Sequence, residues 1–422
     1  MVGDDVRRRA RPGGGARGLA AGGGDEPAGG VVTGRAGRLA ARYGGGARRL
    51  APLAVAATLL LLGYARHAPG TGYPNDYHRY SFATLSYTDI IWLYLRDGIA
   101  GHPHPYLDYP LEYPPLTGGL TYLLGFAPDL ATYFALTCAV LALGGVITVA
   151  ALGRIAGARP WWFAAAPALA VYGMLNWDLA AVGVTALALL AYSRGRDAWG
   201  TLALVAAVWL KFFPLVFLGA ILIERLRERR WRSIGVIGGL FALGSAAINL
   251  PLALANRDGW AYFFTFNDAR DAEPSIWTVL PGLTTPQVNL ASLVAMVGGA
   301  LLLAALALRR PAPAFLPLGA AVLLWWLFVN KIYTPQYGLW VYLALALLGV
   351  PRSYWQAFVL FDLAYYFASF QLLFTSLFGP ILRSDALVLW QTRYLIEPLV
   401  VVRLGLLALF VAWAVRELAR RA

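Results

Sequence analysis

Of the 35 basic residues in the chain only two are lysines, Lys211 in WLKFFP and Lys331 in VNKIYTPQY, and each interrupts a strongly apolar stretch. A cation there is costly, and a lipid-linked phosphate would offset that cost, because an ammonium binds phosphate as a point charge. Snorkelling to an interface is the structural alternative for both. Lys331 also neighbours a helix break at Pro335, and Gln336 and Tyr337 of that break join the candidate substrate-binding residues. Asp89, within YTDIIWLYLRDGIA (87–100), is the candidate general base, since a carboxylate desolvated by apolar neighbours becomes more basic. Its structural alternative is an N-cap or first-turn acid.

The stretch HPHPYLDYPLEYPPLT (102–117) alternates proline with tyrosine and acids, so it must run as an extended, stiff path into the next span. Glu112 and Tyr113 would reach the membrane surface along it, offering an acceptor and an aromatic face to a polar substrate, with a structural, proline-stiffened loop as the default reading. His102 and His104 form an HxH pair without a clear third ligand, a weak metal signal, and no metal site is expected. Asn176, Trp177 and Asp178 break another apolar run, either as a tight turn or with Asp178 as a substrate contact. Arg257, Arg270, Asp271 and Glu273 fall in a loop over 255–287, and Arg383 with Arg393 in a later one. An arginine such as Arg270 could clamp a phosphate there. No Walker-type glycine loop is present, which argues against coupling to ATP within this chain.

The elements that must position these residues are membrane helices. With 59% hydrophobic residues among 422, the chain carries more apolar surface than one soluble core could bury. The apolar runs do not alternate in polarity, so the pattern predicts spanning helices rather than a transmembrane barrel. Twelve spans are expected, at about 50–66, 115–128, 130–152, 161–175, 179–193, 198–222, 233–254, 288–308, 313–329, 338–350, 354–378 and 394–415, several shorter than the ~20 residues of a full crossing.

The net charge of +13 comes from arginines in tails and short loops; it reads as topology, not as a nucleic-acid footprint. Residues 1–49, with ten Arg and four acids among Gly and Ala, read as a disordered cytoplasmic tail. The Arg-rich segments at 225–232, at Arg309 with Arg310, and at 416–422 also read as cytoplasmic, which puts both termini inside. The polar segment 67–114 is then a large first extracytoplasmic loop, with 87–100 as an amphipathic interfacial helix. Residues 50–415 form the membrane domain. Cys138 has no partner, so no disulfide forms within the chain.

In order and spacing, YTDIIWLY (87–94), PYLDYPLEYPPLT (105–117), NWDLA (176–180), KFFP (211–214) and NKIYTPQYGLW (330–340) resemble the GT-C superfamily of polytopic glycosyltransferases, specifically glycosyltransferase family 87. Bacterial members of that family include polyprenyl-phosphate-mannose-dependent mannosyltransferases. The resemblance implies a GT-C-like all-α bundle, a catalytic Asp carried over to Asp89, inversion at the anomeric carbon, and donor-binding roles for Lys211 and Lys331. Thr334 stands where members often have Ser and keeps the hydroxyl. The implied partners are a polyprenyl-phosphate sugar donor, most simply of mannose, a lipid-linked glycan or glycolipid acceptor, and membrane lipids. No cofactor is implied. The expected activity is sugar transfer on the outer face of the plasma membrane. Two rival readings remain: a transporter or flippase of a lipid-linked glycan, which would call for an internal repeat, and a structural subunit, which leaves Asp89 and the lysines without a role.

Overall fold

The structure, a computed structural model, describes residues 32–280, 282–309, 314–378 and 385–420. Much of the expected tail, together with Arg310, Arg383 and the last two residues, lies outside the described residues. The chain divides into two compact units, 1–48 and 49–422. Of the first, what is described is the start of helix α1 (Val32–His67). The second carries the cavity and all its lining residues.

The fold is all-α, and among the described residues no strand forms, the β-type pairing being one isolated bridge, Pro105 to Tyr109. After α1 come α2 (Tyr77–Ala83), α3 (Asp89–Arg96), α4 (Pro115–Leu124), α5 (Leu130–Leu152), α6 (Pro160–Ala164), α7 (Ala168–Val171), α8 (Asp178–Ser193), α9 (Asp197–Leu210) and α10 (Leu215–Arg227). They are followed by α11 (Trp231–Ala255), α12 (Arg257–Ala269), α13 (Ile276–Val279), α14 (Thr285–Leu308), α15 (Phe315–Val329), α16 (Gly338–Leu348), α17 (Arg352–Phe378), α18 (Asp385–Gln391) and α19 (Glu397–Arg420).

Among the described residues six segments are long and apolar enough to cross a membrane: Leu50–Gly72, Leu130–Leu152, Trp231–Ala255, Thr285–Leu308, Arg352–Ser376 and Ala386–Ala419. The chain is thus a polytopic membrane protein. The remaining apolar helices are short, and their lengths differ from the runs read off the sequence. The run 198–222 is two helices, not one: α9 stops at Leu210 and α10 starts at Leu215. Pro214 has no N–H to continue the ladder, and Lys211 turns out to an ionic partner. The run 161–175 is likewise two short pieces, α6 and α7, and the runs at 115–128 and 338–350 shrink to α4 and α16. Arg393 was expected in an outer loop; it lies instead in a π-turn, Thr392–Ile396, inside the last helical run.

A helix such as α15, at about 1.5 Å per residue, spans only ~22 Å against a hydrocarbon core of ~30 Å. These short helices are enclosed by protein: every residue of α16 is buried. That enclosure allows their open ends to leave the helical ladder at membrane depth. Close packing makes room for them. A Cβ on Gly183 of α8 would sit 2.7 Å from the Cα of Gly144 on α5, so glycine at both positions lets the backbones touch.

At one end of this inner group, the buried Glu224 carboxylate of α10 accepts from the backbone N–H of Ala314 (2.6 Å) and Phe315 (2.8 Å), capping the start of α15. At the other end, α15 runs out into Asn330 and Lys331, and α10 begins just after Lys211. Two long helices are joined by an ion pair: Arg403 of α19 and Asp362 of α17, both fully buried, approach to 3.2 Å. The Arg403 guanidinium carbon lies 4.1 Å from the ring centroids of both Tyr333 and Tyr365.

Candidate active site

Two short helices, α9 and α15, end at one cavity, and a third, α8, starts behind it. Asp178 opens α8, Lys211 caps α9, and Lys331 follows α15. An acid at a helix start and cations past helix ends suit the helix dipoles, which is the local reason these residue types are tolerated there. The cavity is about 730 Å³ in volume and is also lined by α3, α12, α14 and the segment from Asn330 to Tyr337.

The segment between α1 and α4, expected as a loop with one helix, is folded onto the rest of the protein. Thr88 caps α3, its Oγ1 accepting from the Ile90 N–H and donating to the Met174 carbonyl at 2.7 Å. The Asp89 N–H donates to the Leu175 carbonyl at 2.8 Å. Tyr77 closes the corner: its hydroxyl accepts from the Thr88 N–H at 2.7 Å and donates to the Thr88 carbonyl at 3.0 Å. The helix, shorter than the expected 87–100, stops where Gly98 takes φ +62°. Its apolar residues Ile90, Ile91 and Tyr94 are buried in the protein. The proline-rich stretch, expected as an extended path, instead folds back on itself: the N–H groups of Leu107 and Asp108 donate to the His104 carbonyl, Tyr106 takes φ +69°, and Pro105 bridges to Tyr109 before the chain enters α4 at Pro115. The Tyr106 hydroxyl donates to the carbonyls of Tyr113 and Pro114, which fixes the approach of Glu112 and Tyr113.

Two polar clusters face the cavity. In the first, the Tyr113 hydroxyl donates to Asp89 Oδ2 at 3.0 Å. The Lys211 ammonium stands 4.6 Å from the Tyr113 ring centroid and 2.7 Å from Asp178 Oδ1. Asp178 is fully buried behind Lys211 and does not line the cavity. Its role is to hold that lysine, and its own N–H is received by Asn176 Oδ1 at 3.0 Å. Burial pushes the Asp89 carboxyl above its ordinary range, partly countered by the hydrogen bonds of Tyr113 and Tyr87 and by the Lys211 charge. Burial, reinforced by the carboxylates of Asp89 and Asp178, keeps the Tyr113 phenol protonated and so a donor.

In the second cluster, the Lys331 ammonium donates to the carbonyls of Asp268 (3.0 Å) and Arg270 (2.7 Å). It is 7% exposed, and among the described residues no carboxylate forms an ion pair with it. An ammonium has three donors, so one remains for the cavity. Arg270 is bound to Glu273, its Nε donating at 2.6 Å. The charges that act on Lys331 are those of Asp268, Arg270 and Asp271, whereas Asp89 feels Lys211 and Glu112; the clusters are distinct. Tyr337 lies between them, in electrostatic reach of Asp178 on one side and of Arg270 and Glu273 on the other. Its ring stacks on Trp340 at 4.0 Å. Gln336 and Thr334 line the same wall, and Phe263, Phe264, Phe266, Leu293 and Met296 supply an apolar one.

Seven of the residues singled out in the sequence besides Asp178 therefore share this cavity with Asp89: Glu112, Tyr113, Lys211, Arg270, Lys331, Gln336 and Tyr337. Reading the sequence missed the part played by Arg96, whose guanidinium holds Glu112 through two bonds of 2.7 and 2.8 Å. The signal was available: Arg96 falls seven residues after Asp89, on the same helix face. His102 and His104 lie elsewhere, the first stacked on Phe126 and the second bonded to Asp108 and Tyr122. Among the described residues no group of three or more His, Cys, Asp or Glu is arranged to hold a metal ion.

Comparison with known proteins agrees with the architecture. The family model of glycosyltransferase family 87 matches residues 111–335, more than half of the chain. The matched region contains Glu112, Tyr113, Asp178, Lys211, Arg270 and Lys331, while Asp89 precedes it. No curated protein matches the chain. With the matched segment supplying most of the walls of one cavity inside a polytopic helical bundle, the chain belongs to glycosyltransferase family 87 and is a membrane glycosyltransferase.

Proposed function

We propose that the protein transfers a sugar, mannose in the simplest case, from a polyprenyl-phosphate donor to a lipid-linked glycan or glycolipid, with inversion and with Asp89 as the general base. One observation carries this reading: a single cavity joins a desolvated, phenol-bonded carboxylate to a buried ammonium that has no carboxylate partner among the described residues. Asp89 takes the proton of the acceptor hydroxyl as its oxygen attacks the anomeric carbon. The bond from that carbon to the phosphate oxygen breaks on the opposite face, and the electron pair leaves with the phosphate. Lys331, with Arg270 beside it, stabilises the charge that collects there. The phenylalanines of α12 and the apolar face of α14 suit a prenyl chain. One displacement inverts the anomeric carbon and needs no covalent enzyme intermediate.

The placement of α10 and α15 supports an extracytoplasmic site. The cluster Arg225, Arg227, Arg229, Arg230 and Arg232 marks the cytoplasmic side by the positive-inside rule. It lies at the end of α10 opposite Lys211, and the Glu224 cap ties the start of α15 to the same end. This arrangement supports placing the cavity at the extracytoplasmic ends of both helices, and the plasma membrane is part of the same proposal. The membership in a glycosyltransferase family leaves the transporter reading without support.

Lys331→Met tests the donor assignment. A hydrogen bond to a charged group contributes about 1.5–3 kcal/mol, so donor affinity or the single-turnover rate is expected to fall roughly 10- to 150-fold. A variant that binds and turns over the lipid-phosphosugar like the parent makes Lys331 a structural anchor of Asp268 and Arg270, and moves the phosphate to Lys211.

A further inference from the structure

The two clusters above leave one wall of the cavity without a role. Helix α3 lines it with Asp89, Trp92, Leu93 and Arg96, the i, i+3, i+4, i+7 set that shares one helix face. The wall runs from the partly buried Asp89 to the exposed Arg96, about 10 Å along the helix. The acceptor hydroxyl must meet Asp89 and the rest of the acceptor must extend from there toward solvent or lipid, so this wall is its way out.

The chemistry of the wall selects among acceptors. Trp92 offers an indole backed by the His78 ring, whose centroid is 3.9 Å away. Burial lowers the His78 pKa, which favours the uncharged ring. Arg96 is committed to two carboxylates, bidentate to Glu112 and with Nε 2.5 Å from Asp97. Its charge is already neutralised, and an anionic headgroup gains nothing by approaching. The carboxylate oxygens keep lone pairs for hydroxyl donors. An apolar ring face beside hydroxyl acceptors, with no unspent cation, fits a sugar ring and not a phosphate.

We propose that the α3 face formed by Trp92, Arg96 and Glu112 is the acceptor subsite, and that it takes uncharged, hydroxyl-rich sugar units. This rests on the reading of Asp89 as the base. The test uses the full-length protein in detergent with mannosyl polyprenyl phosphate and two acceptors, octyl mannoside and octyl mannoside 6-phosphate. Donor hydrolysis by water is measured separately, without acceptor. Trp92→Ala is expected to raise the KM for octyl mannoside about 10-fold, well beyond any change in the donor KM. Trp92→Phe keeps an aromatic face and is expected to restore most of the acceptor affinity. In the parent, the phosphorylated glycoside is expected to have the higher KM. An unchanged acceptor KM in Trp92→Ala, or a parallel loss of donor hydrolysis, overturns the subsite; a lower KM for the phosphorylated acceptor overturns its neutral class. A parent that neither hydrolyses nor transfers the lipid-phosphosugar overturns the function proposed above, and the subsite falls with it.

Discussion

Asp89→Asn is expected to lower the transfer rate by about 10²–10⁴, the usual contribution of one well-placed general base, with donor affinity unchanged. The substitution keeps the side-chain volume and the partner hydroxyl of Tyr113, but it removes the proton acceptor. The same carboxylate sets the pH profile. Burial raises its pKa above the ordinary carboxylate range, and only the ionised form can act as a base. The acid limb of kcat/KM is therefore expected at higher pH than a solvated aspartate would give. Tyr113→Phe should move it further up, because the lost hydrogen bond had favoured the ionised form. Near-normal turnover by Asp89→Asn, measured in single-turnover assays with donor bound, would transfer the role to another acid of the cavity, Glu112 first.

The second large effect lies away from the chemistry. Arg403→Met is expected to destabilise the protein by about 3–5 kcal/mol, the cost of leaving a buried charge without its partner. Asp362 is fully buried, and Arg403 is its ion-pair partner across α17 and α19. Tyr333, packed against the guanidinium, sits two residues after Lys331, so the loss should also loosen the wall of the cavity. The double variant Arg403→Met with Asp362→Leu removes both charges and is expected to recover most of the lost stability, since a buried ion pair is often replaceable by apolar side chains. Thermal unfolding in detergent reads both. Equal melting temperatures for the parent and Arg403→Met would mean that water or lipid headgroups already reach Asp362.

Much of the candidate site was legible in the sequence because cost points to use. A lone lysine in an apolar run, or an aspartate at the start of an amphipathic helix, is conspicuous against a hydrophobic background, and Asp89, Lys211 and Lys331 were found this way. What could not be read was pairing. Lys211 and Asp178 each read as a substrate contact; that they pair with one another across the gap between α8 and α9, with Lys211 on the cavity side, was not legible. Arg403 and Asp362, opposite charges in two apolar spans, offered the same signal and passed unread. Among the described residues, six of the twelve expected spans coincide with helices long and apolar enough to cross alone, and the other six with shorter helices. Hydropathy does not distinguish a helix surrounded by lipid from one surrounded by protein, so the short length and enclosure of α15 and α16 were not legible. The break at Lys211 to Pro214 was visible as KFFP, but the apolar run around it hid the end of α9.

The proposed donor is a lipid-linked phosphosugar consumed at the cavity that Asp89 and Lys331 line. The most direct measurement incubates the purified protein with octyl mannoside and, in separate reactions, mannosyl polyprenyl phosphate or a nucleotide-activated mannose, and follows the released carrier and the anomeric configuration of the product. The account predicts release of polyprenyl phosphate, a product of inverted configuration, and no transfer from the nucleotide sugar. Transfer from the nucleotide sugar alone, or retention of configuration, would contradict it.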